Sequence, residues 1–411
     1  MMSKEKRRVP KLRFPGFTED WEQRKLSDVL VERNEQQVET SEYPLMSFVQ
    51  GLGVVPKSER YDRSFLVLDQ SKKYKRTELG DFIYSSNNLE TGSIGINKTG
   101  KAVISPVYSI FQGVSIGDSQ FIGIMSLLPR FIAKMIRFRQ GVVYGQWRIH
   151  ETDFLDISVL IPSVDERTKI TQLILSIEEI VTLHQRKLDN LKLKKKALLQ
   201  KLFPKNGERY PELRFPGFTD AWEQRKLGDL LILLKDGSHG THKNTDAGVY
   251  LLSAKNIKNG RINIMPDDRI ISWDDYNVIH KNYELQIGDI LLTIVGSIGE
   301  TAIFNLKTKV TFQRSVAFLR PNSNLNNGFL YTLINTDRFQ NQLQTKQVVS
   351  AQPGIYLGDL ATIDITYPKN ILEQEKIYNI FREIENSITL HQRKLDHLQL
   401  QKKALLQQMF V

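Results

Sequence analysis

One stretch of this chain occurs twice and limits what the chain can fold into. Residues 182–203 read TLHQRKLDNLKLKKKALLQKLF, and residues 389–410 read TLHQRKLDHLQLQKKALLQQMF. The two copies are separated by about half of the chain, which is far too long for the repeat unit of a solenoid. The chain is therefore predicted to consist of two similar halves, each of which ends in the same helix.

The repeated stretch and the residues before it have the spacing of helices that pack side by side. Apolar residues recur alternately three and four positions apart, which is a heptad pattern. Ser163 with Glu166, and Asn370 with Glu373, indicate a capping box at the start of each helix. We interpret the helices as a long spacer between two domains, the alternative being two core helices of one globule. The residues of the pattern, called the seam below, are Ile177, Val181, His184, Leu188, Leu191, Leu198, Ile384, Ile388, His391, Leu395, Leu398 and Leu405.

A second repeat opens each half. Residues 10–29 read PKLRFPGFTEDWEQRKLSDV, and residues 211–230 read PELRFPGFTDAWEQRKLGDL. The apolar side chains are typical of a segment that docks on a neighbouring part of the protein, and nothing in it is poised for chemistry. We call residues 10–25 the first clip and residues 211–226 the second clip.

Two bodies lie between the clips and the helices. Short apolar runs alternate with turn residues, which predicts a strand-rich α+β fold. Each body has a G-D turn, at Gly80 and at Gly288, followed by an apolar strand and a G-S-I-G loop, where backbone comes close to something. Elsewhere the bodies differ widely, so one duplicated scaffold carries different surfaces. The predicted boundaries are 1–25 for a docking segment, 26–161 for the first body, 162–203 for the first helix, 204–226 for a linker and docking segment, 227–366 for the second body and 367–411 for the second helix.

Composition narrows the choice of partner and compartment. The net charge is +11, which favours a polyanion such as nucleic acid. Cysteine is absent, which excludes disulfides, thiolate metal sites and a cysteine nucleophile. The basic N-terminal residues are not followed by an apolar run, and no segment has the length of a membrane span. We therefore expect a cytoplasmic protein.

The motifs that would indicate catalysis are incomplete. Residues 95–102 match a P-loop until Ala102 replaces the Ser or Thr that holds magnesium, and a strand-like run follows instead of a helix. His239 and His242 are three apart and could ligate a metal with Asp236 or Asp246, but no Cys and no third His is near them in the sequence. We expect no catalytic residue and no metal site in this chain.

Polar, planar and basic residues instead crowd matched places in the two bodies. Gln and Asn can pair with adenine edges, Arg with guanine, and Lys neutralises phosphate. A solvated surface is the alternative for any single run. The candidate DNA-binding residues are Lys72, Lys73, Lys75, Arg76, Asn87, Asn88, Asn97, Lys98, Lys101, Arg139, Gln140, Tyr144, Gln146, Arg148, Ser238, His239, Thr241, His242, Lys243, Asn256, Lys258, Gln313, Arg314, Gln344, Lys346, Gln347 and Gln352.

The clips, the paired G-D and G-S-I-G blocks and the two TLHQRKLD helices resemble the specificity subunit of type I restriction–modification enzymes. Residues 235–243 and the following GVYLLSAKNI belong to the resemblance, which covers essentially the whole chain. It implies two target-recognition domains, each reading one half of a bipartite, asymmetric site on double-stranded DNA. It also implies that the two helices form an antiparallel coiled coil that sets the spacer between the half-sites.

The same resemblance implies the partners. Two DNA methyltransferase (modification) subunits, usually specific for adenine-N6, dock on the helices, and restriction motor subunits join to cut unmodified DNA. S-adenosylmethionine, ATP and Mg²⁺ are then expected on those partners and none on this chain, which is not catalytic by itself. Two other hypotheses stay open at this point: a stand-alone enzyme that uses residues 95–101, and a repressor or scaffold protein without a methyltransferase partner.

Overall fold

The computed structural model describes residues 8–49, 51–56, 71–89, 93–141, 147–348 and 353–411. The chain divides into two compact units. The first unit is Met1–Gln185 with Arg393–Val411, and the second is Arg186–Gln392. Each unit therefore takes the beginning of one long helix and the end of the other.

The first body combines short strands with three short helices before the long one. Its helices are α1 (Ile116–Met125), α2 (Pro129–Ile136), α3 (Glu151–Leu155) and the long α4 (Val164–Lys201). Its strands are β1 (Glu22–Lys25), β2 (Leu30–Glu32), β3 (Gln36–Gln37), β4 (Met46–Val49), β5 (Gly53–Pro56), β6 (Tyr74–Thr77), β7 (Phe82–Tyr84), β8 (Ile94–Ile96), β9 (Ala102–Ile104), β10 (Ser109–Gly113), β11 (Gln140–Gly141), β12 (Trp147–Arg148) and β13 (Ser158–Ile161).

The second body follows the same plan. Its helices are α5 (Trp273–Ile279), α6 (Asn327–Ile334), α7 (Asp337–Thr345), α8 (Leu357–Ala361) and the long α9 (Ile371–Gln408). Its strands are β14 (Glu223–Lys226), β15 (Leu231–Asp236), β16 (Val249–Leu252), β17 (Ile257–Lys258), β18 (Arg261–Ile262), β19 (Arg269–Ile271), β20 (Ile290–Thr293), β21 (Thr301–Ile303), β22 (Val310–Phe312), β23 (Val316–Pro321) and β24 (Asp364–Tyr367).

Two four-stranded antiparallel sheets are the shared core of the scaffold. Their strand orders are β2-β10-β7-β8 and β15-β23-β20-β21. In each sheet the strand after the G-D turn, β7 or β20, is completely buried. The EQRK segment of each clip pairs with the last strand before a long helix, β1 with β13 and β14 with β24. The prediction of an α+β chain with two similar strand-rich bodies and two long helices is confirmed.

The buried carboxylate of the G-D turn is paired differently in the two bodies. Asp81 forms an ion pair with Arg33, the residue that follows β2, whereas Asp289 forms an ion pair with Arg320 on β23. Burial is the main influence on the pKa of Asp81 and raises it, although the Arg33 guanidinium works in the opposite direction. Both G-D turns therefore contain a buried aspartate, but the arginine that pairs with the aspartate comes from a different part of the sheet in each body.

Each clip joins the start of one long helix to the end of the other within its own unit. In the first unit Arg13 makes a bidentate bond to Glu166 of α4, and the Leu12 N–H donates to the carbonyl of Gln408 in α9. In the second unit Arg214 holds Glu373 of α9 in the same way. There the Leu213 N–H donates to the carbonyl of Lys201 in α4.

These contacts change the interpretation of the predicted capping boxes. The Ser163 hydroxyl still accepts the Glu166 N–H, at 3.4 Å, but the Glu166 carboxylate binds the clip arginine instead of returning to the cap. Asn370 caps α9 by accepting the Leu372 N–H at 2.9 Å. The glutamates at these positions therefore serve the clips, because two guanidinium donors are stronger partners than one backbone amide.

Aromatic residues at the helix ends complete each core. Phe410 packs against Trp21 and Phe121 in the first unit, with ring centroids 6.1 and 5.4 Å apart. Phe203 packs in the equivalent way against Trp222 and Phe329, at 5.9 and 5.6 Å. The residues at the end of α4 therefore belong to the core of the second body, and those at the end of α9 belong to the core of the first body.

An ion pair joins the two helix segments in each unit. Glu178 binds Lys402 at 2.7 Å in the first unit, and Lys195 binds Glu385 at 2.6 Å in the second. The two pairs occupy equivalent positions of the repeat, and they require the two helix segments in each unit to run antiparallel. All seam residues are buried or half-buried.

Replacing the clip arginine is expected to destabilise the second unit strongly. The Glu373 side chain is only 1% exposed, so the variant Arg214→Ala leaves a buried carboxylate without its cation. The expected loss is about 3–5 kcal/mol in the free energy of unfolding, measured by chemical denaturation. The matched control is Arg225→Ala, which removes an exposed ion pair to Glu223 and should cost about 1 kcal/mol or less. Equal losses in the two variants would contradict the anchoring role of Arg214.

Candidate nucleic-acid interface

Four loops lie side by side at one end of the strands of the four-stranded sheet in the second unit. We call this end of the strands the sheet edge. The register pairs Asp236 with Ala317, Thr293 with Val316, and Leu292 with Thr301. The end of β15, the start of β23, the end of β20 and the start of β21 therefore lie at the same edge. The loops there are residues 237–248, 313–315, 294–300 and 353–356.

Backbone hydrogen bonds tie these loops together in sequence along the edge. The Arg314 N–H donates to the carbonyl of Ser238, and the Ile294 N–H donates to that of Ser315. The Ile355 N–H then donates to the carbonyl of Ile294. Segments distant in the chain thus form one continuous rim, which is the arrangement that a surface reading several successive bases requires.

Most of the second-body candidates lie on this rim. Ser238, His239, Thr241, His242 and Lys243 belong to its first loop. Gln313 and Arg314 belong to the second, and Ser238 forms an isolated β-bridge with Gln313. The exposed side chains are those of His239, Thr241, Lys243 and Arg314.

The hairpin that follows α7 borders the same rim. Val348 pairs with Gly354, and Gly354 in turn pairs with Val295 beside the G-S-I-G loop. Gln344 is exposed, whereas Lys346 and Gln347 are half-buried, and Gln352 lies outside the described residues. These candidates are therefore brought close to the G-S-I-G loop.

The close approach predicted at the G-S-I-G loop is made by the protein itself. A Cβ on Gly299 would come within 2.3 Å of the Oε1 of Gln340, and the φ of this glycine is +98°. The Gln340 amide donates to the carbonyls of Gly299 and Ile334. The glycine is thus needed for packing α7 beneath the rim.

The first unit has an equivalent edge with different chemistry. Ser109 pairs with Tyr84, and Tyr84 pairs with Ile94, so the loop after β7 and the start of β10 lie together. The Asn87 Oδ1 accepts the Trp147 N–H at 2.7 Å, which attaches the β11–β12 hairpin to that loop. The hairpin follows α2, as the hairpin of the second body follows α7.

Four of the first-body candidates meet at this edge. Gln140 pairs with Arg148 across the hairpin, and Arg139 lies over the ring of Trp147 at 5.9 Å. The fourth is Asn87, and Arg148 is exposed. Tyr144, Gln146 and the side chain of Asn88 lie outside the described residues.

The remaining first-body candidates lie elsewhere. Asn97, Lys98 and Lys101 follow β8, at the sheet edge opposite to Asn87. The Lys98 ammonium pairs with Glu178 of α4, and Lys101 pairs with Glu42. Burial works to raise the pKa of Glu178, but Lys98 and Lys402 outweigh it and hold the pKa below its usual range.

The P-loop-like residues are therefore not a phosphate loop. A strand, β9, follows Lys101 as the sequence indicated, and the Asn97 side chain is fully buried. Its amide donates to Thr77 and to the carbonyl of Gly100, while its oxygen accepts two backbone N–H groups. The prediction that Asn97 contacts DNA is wrong, because its hydrogen-bonding groups fold the loop.

Burial corrects two further candidates. Lys75 is 8% exposed on the central strand of the β3-β6-β9 sheet. Asn256 is 1% exposed, and its amide donates to Asp268 and to the carbonyl of Asn263. Arg76 is engaged with Glu35 and Glu78, whereas Lys72, Lys73 and Lys258 are exposed. Lys258 lies next to Asn259, whose N–H donates to Glu300 in the loop of residues 294–300.

Sequence reasoning missed several residues that shape the rims. Trp147 is half-exposed beside Arg139, and Asp275 and Arg269 support the first loop of the second rim. Asp275 lies on α5, far from the loop in sequence, so spacing alone carried no signal for it. Trp147 lies between the candidates Gln146 and Arg148 in the sequence, and its aromatic ring was a signal that could have been used.

The two histidines are not arranged around a metal. His239 lies 2.6 Å from Asp236, whereas His242 contacts Ser238 and Asp275. Within the described ranges, no group of three or more His, Asp or Glu side chains is placed to hold a metal ion. No helix of that part of the chain is long and apolar enough to cross a membrane.

Comparisons with known proteins agree with this architecture. The family model for the type I restriction modification DNA specificity domain matches residues 219–400. The type I restriction enzyme MjaVIII specificity subunit of Methanocaldococcus jannaschii is 20% identical over 342 residues, covering 79% of this chain and 77% of that protein. The chain is therefore similar to type I restriction–modification specificity subunits, and its residues 219–400 match their DNA specificity domain.

The fold of a solved specificity subunit is similar throughout. The crystal structure of the type I restriction–modification system S subunit from M. genitalium has a TM-score of 0.59 and 13% sequence identity. The match covers 98% of this chain and 99% of that one. This likeness concerns the fold, so the sheet edges described above lie on a scaffold of the same architecture as that S subunit.

Removing one of the exposed cations on the second rim, Arg314, is expected to weaken DNA binding without regard to sequence. Arg314→Gln should lower the affinity of the full chain for every duplex tested. If Arg314 contacts a phosphate, the slope of log K against log salt should fall by about one. The control is Lys307→Gln, since Lys307 is an exposed cation beyond the opposite end of β21. Fluorescence anisotropy over a salt series measures both, and a slope that is unchanged in Arg314→Gln but lowered in Lys307→Gln would contradict this placement.

Proposed function

We propose that this specificity subunit reads a bipartite, asymmetric DNA site, one half with each body. The observation that carries the proposal is the pair of equivalent sheet edges, built on one scaffold and lined with different side chains. The first edge carries Asn87 and Arg148, and the second carries a histidine-containing loop with Arg314. Identical scaffolds with different surfaces are suited to reading two different short sequences.

The helices are proposed to set the gap between the half-sites. α4 and α9 are each 38 residues long, which corresponds to about 57 Å at 1.5 Å per residue. Because each helix belongs to both units, its length is a constant of the chain. Two DNA-reading bodies that are joined by helices of fixed length select half-sites at one fixed separation.

Exposed leucines on the helix pairs support docking of a partner in two copies. Leu183 and Leu400 in the first unit are 65% and 66% exposed, and Leu390 and Leu193 in the second unit are 65% and 66% exposed. These are equivalent positions of the repeat, and in each unit they lie within about one helical turn of the same level. We assign these apolar faces to two DNA methyltransferase subunits.

The rest of the complex follows from this assignment. Restriction motor subunits are proposed to join the assembly and to cut unmodified DNA. S-adenosylmethionine, ATP and Mg²⁺ are assigned to the partner subunits, and the chain itself to a non-catalytic role in the cytoplasm. The repressor or scaffold hypothesis remains the outcome that the next experiment would favour if the proposal fails.

A map of methylated bases tests the function. Cells expressing this chain with the methyltransferase encoded beside it should show a split motif with a fixed gap, which is absent without the chain. Exchanging residues 26–161 for the corresponding body of another specificity subunit should change one half of the motif only. An unchanged methylation pattern with and without the chain would refute the proposal and favour the repressor or scaffold function.

Charge placed on the helix face should remove one methyltransferase subunit. The double variant Leu183→Asp/Leu400→Asp is expected to melt like the parent, since both side chains are exposed, and to bind one methyltransferase subunit instead of two. Native mass spectrometry counts the subunits. Val107→Asp is the control, because Val107 is 63% exposed and lies in the first body between β9 and β10, not on either long helix. Retention of two subunits by the double variant would exclude this face as the docking site.

A further inference from the structure

The first loop of the second rim contains a closed polar network. The Ser238 Oγ lies 2.6 Å from the Nε2 of His242, and the Nδ1 of His242 lies 3.1 Å from an Asp275 carboxylate oxygen. The Gly240 N–H donates to the same serine hydroxyl at 3.2 Å. Serine, histidine and carboxylate thus follow one another as they do in serine hydrolases.

The surroundings distinguish this network from a hydrolytic site. In a hydrolase, backbone N–H groups face the substrate oxygen. Here the Gly240 N–H is bonded to the serine hydroxyl itself, so the network closes back on its own loop. Its effect is to join residues 238–242 of the loop to Asp275 on α5.

Several other contacts hold the base of the loop. Arg269 donates to the carbonyl of His242 and, at 2.8 Å, to the side chain of Asn244. The Arg314 N–H donates to the carbonyl of Ser238 at 3.0 Å. The His242 side chain is only 10% exposed, so it faces the support rather than the solvent.

The side chains between these anchors point outward. His239 is 64% exposed and its Nε2 is bonded to Asp236, while Thr241 and Lys243 are also exposed. A hydroxyl and an imidazole can bond base edges, and an ammonium neutralises phosphate. The loop therefore alternates inward-facing residues that hold it with outward-facing residues that could contact DNA.

We propose that Ser238, His242 and Asp275 are positioning residues that set the sequence preference for one half-site by holding His239, Thr241 and Lys243 in place. This inference rests on the proposed function and assigns a separate role to the residues behind the reading surface. The hydrogen bond from His242, and next that from Ser272, hold the pKa of Asp275 below its usual value, so the acceptor is ionised. Ion-assisted bonds of this kind are stronger than neutral ones.

The first body offers an internal comparison. The strand equivalent to β15 is β2, and the registers place Glu32 at the position of Leu234. The counterparts of residues 238–242 are therefore residues 36–40, which read QQVET and contain no histidine. Within the described residues the positioning network is thus a feature of the second body's loop. Its loss should leave the reading of the other half-site unchanged.

The test compares methylation maps of matched variants in cells that also express the neighbouring methyltransferase. Ser238→Ala and Asp275→Asn are expected to relax several adjacent positions of one half-site by roughly tenfold or more, since misplacing the loop affects all its contacts. Thr241→Ala should relax a single position. The rescue variant Ser238→Thr, which keeps the hydroxyl, and the control Asp274→Asn, which changes the exposed neighbouring carboxylate, should retain the parental motif.

The outcomes distinguish a failure of the positioning role from a failure of the proposed function. If Ser238→Ala and Asp275→Asn both retain the parental motif, or relax both halves equally, the positioning role is overturned while the proposed function stands. If the unmodified chain produces no split motif, the proposed function fails and the positioning role fails with it. Thermal unfolding of each purified variant, expected to match the parent, shows that a relaxed motif does not arise from global unfolding.

Discussion

The bidentate bond between a clip arginine and a buried helix glutamate is the interaction on which each unit depends. Arg13 with Glu166, and Arg214 with Glu373, place a clip across the start of one long helix. The neighbouring leucine N–H then binds the end of the other helix. A buried ion pair contributes little net stability, but loss of either partner leaves an unpaired charge and is costly. The pair therefore specifies which segments come together.

This arrangement explains why the chain repeats its clips and helices and varies its bodies. The repeated segments contact each other, so a change in one requires a compensating change in another. The loops at the sheet edges, in contrast, differ in sequence between the two bodies. The second edge presents a loop braced by a histidine network, and the first presents a hairpin with Trp147 and Arg148. Duplication thus supplies two different surfaces on one framework, as the proposed reading of an asymmetric DNA site requires.

Much of the fold could be predicted because repeats and periodicity are properties of the sequence. The two long helices and the buried strands after the G-D turns follow from local patterns. The sequence did not predict which core contains the end of each long helix, because nothing near Phe203 or Phe410 indicates the body against which it packs. Lys195 and Lys402 interrupt the apolar pattern of the helices, and nothing local in the sequence indicates that each pairs with a glutamate of the other helix.

The candidate site was predicted less well, because composition does not reveal burial. Asn97 and Asn256 have the amides that pair with adenine, but both amides are consumed in folding loops. Lys98 belongs to a basic stretch, yet it pairs with a carboxylate of the long helix. The rim could not be predicted because it depends on strand register. The register brings Ser238 next to Gln313, although many residues separate them in the chain.

Site-specific photo-crosslinking tests the central claim, that each sheet edge meets its own half of the DNA site. A photoreactive phenylalanine analogue at Thr241 and, in a second protein, at Asn87 would be irradiated on a duplex that carries the mapped motif. We predict crosslinks from position 241 to bases of one half-site and from position 87 to bases of the other. Crosslinks from both positions to the same half-site, or to the gap alone, would contradict the account.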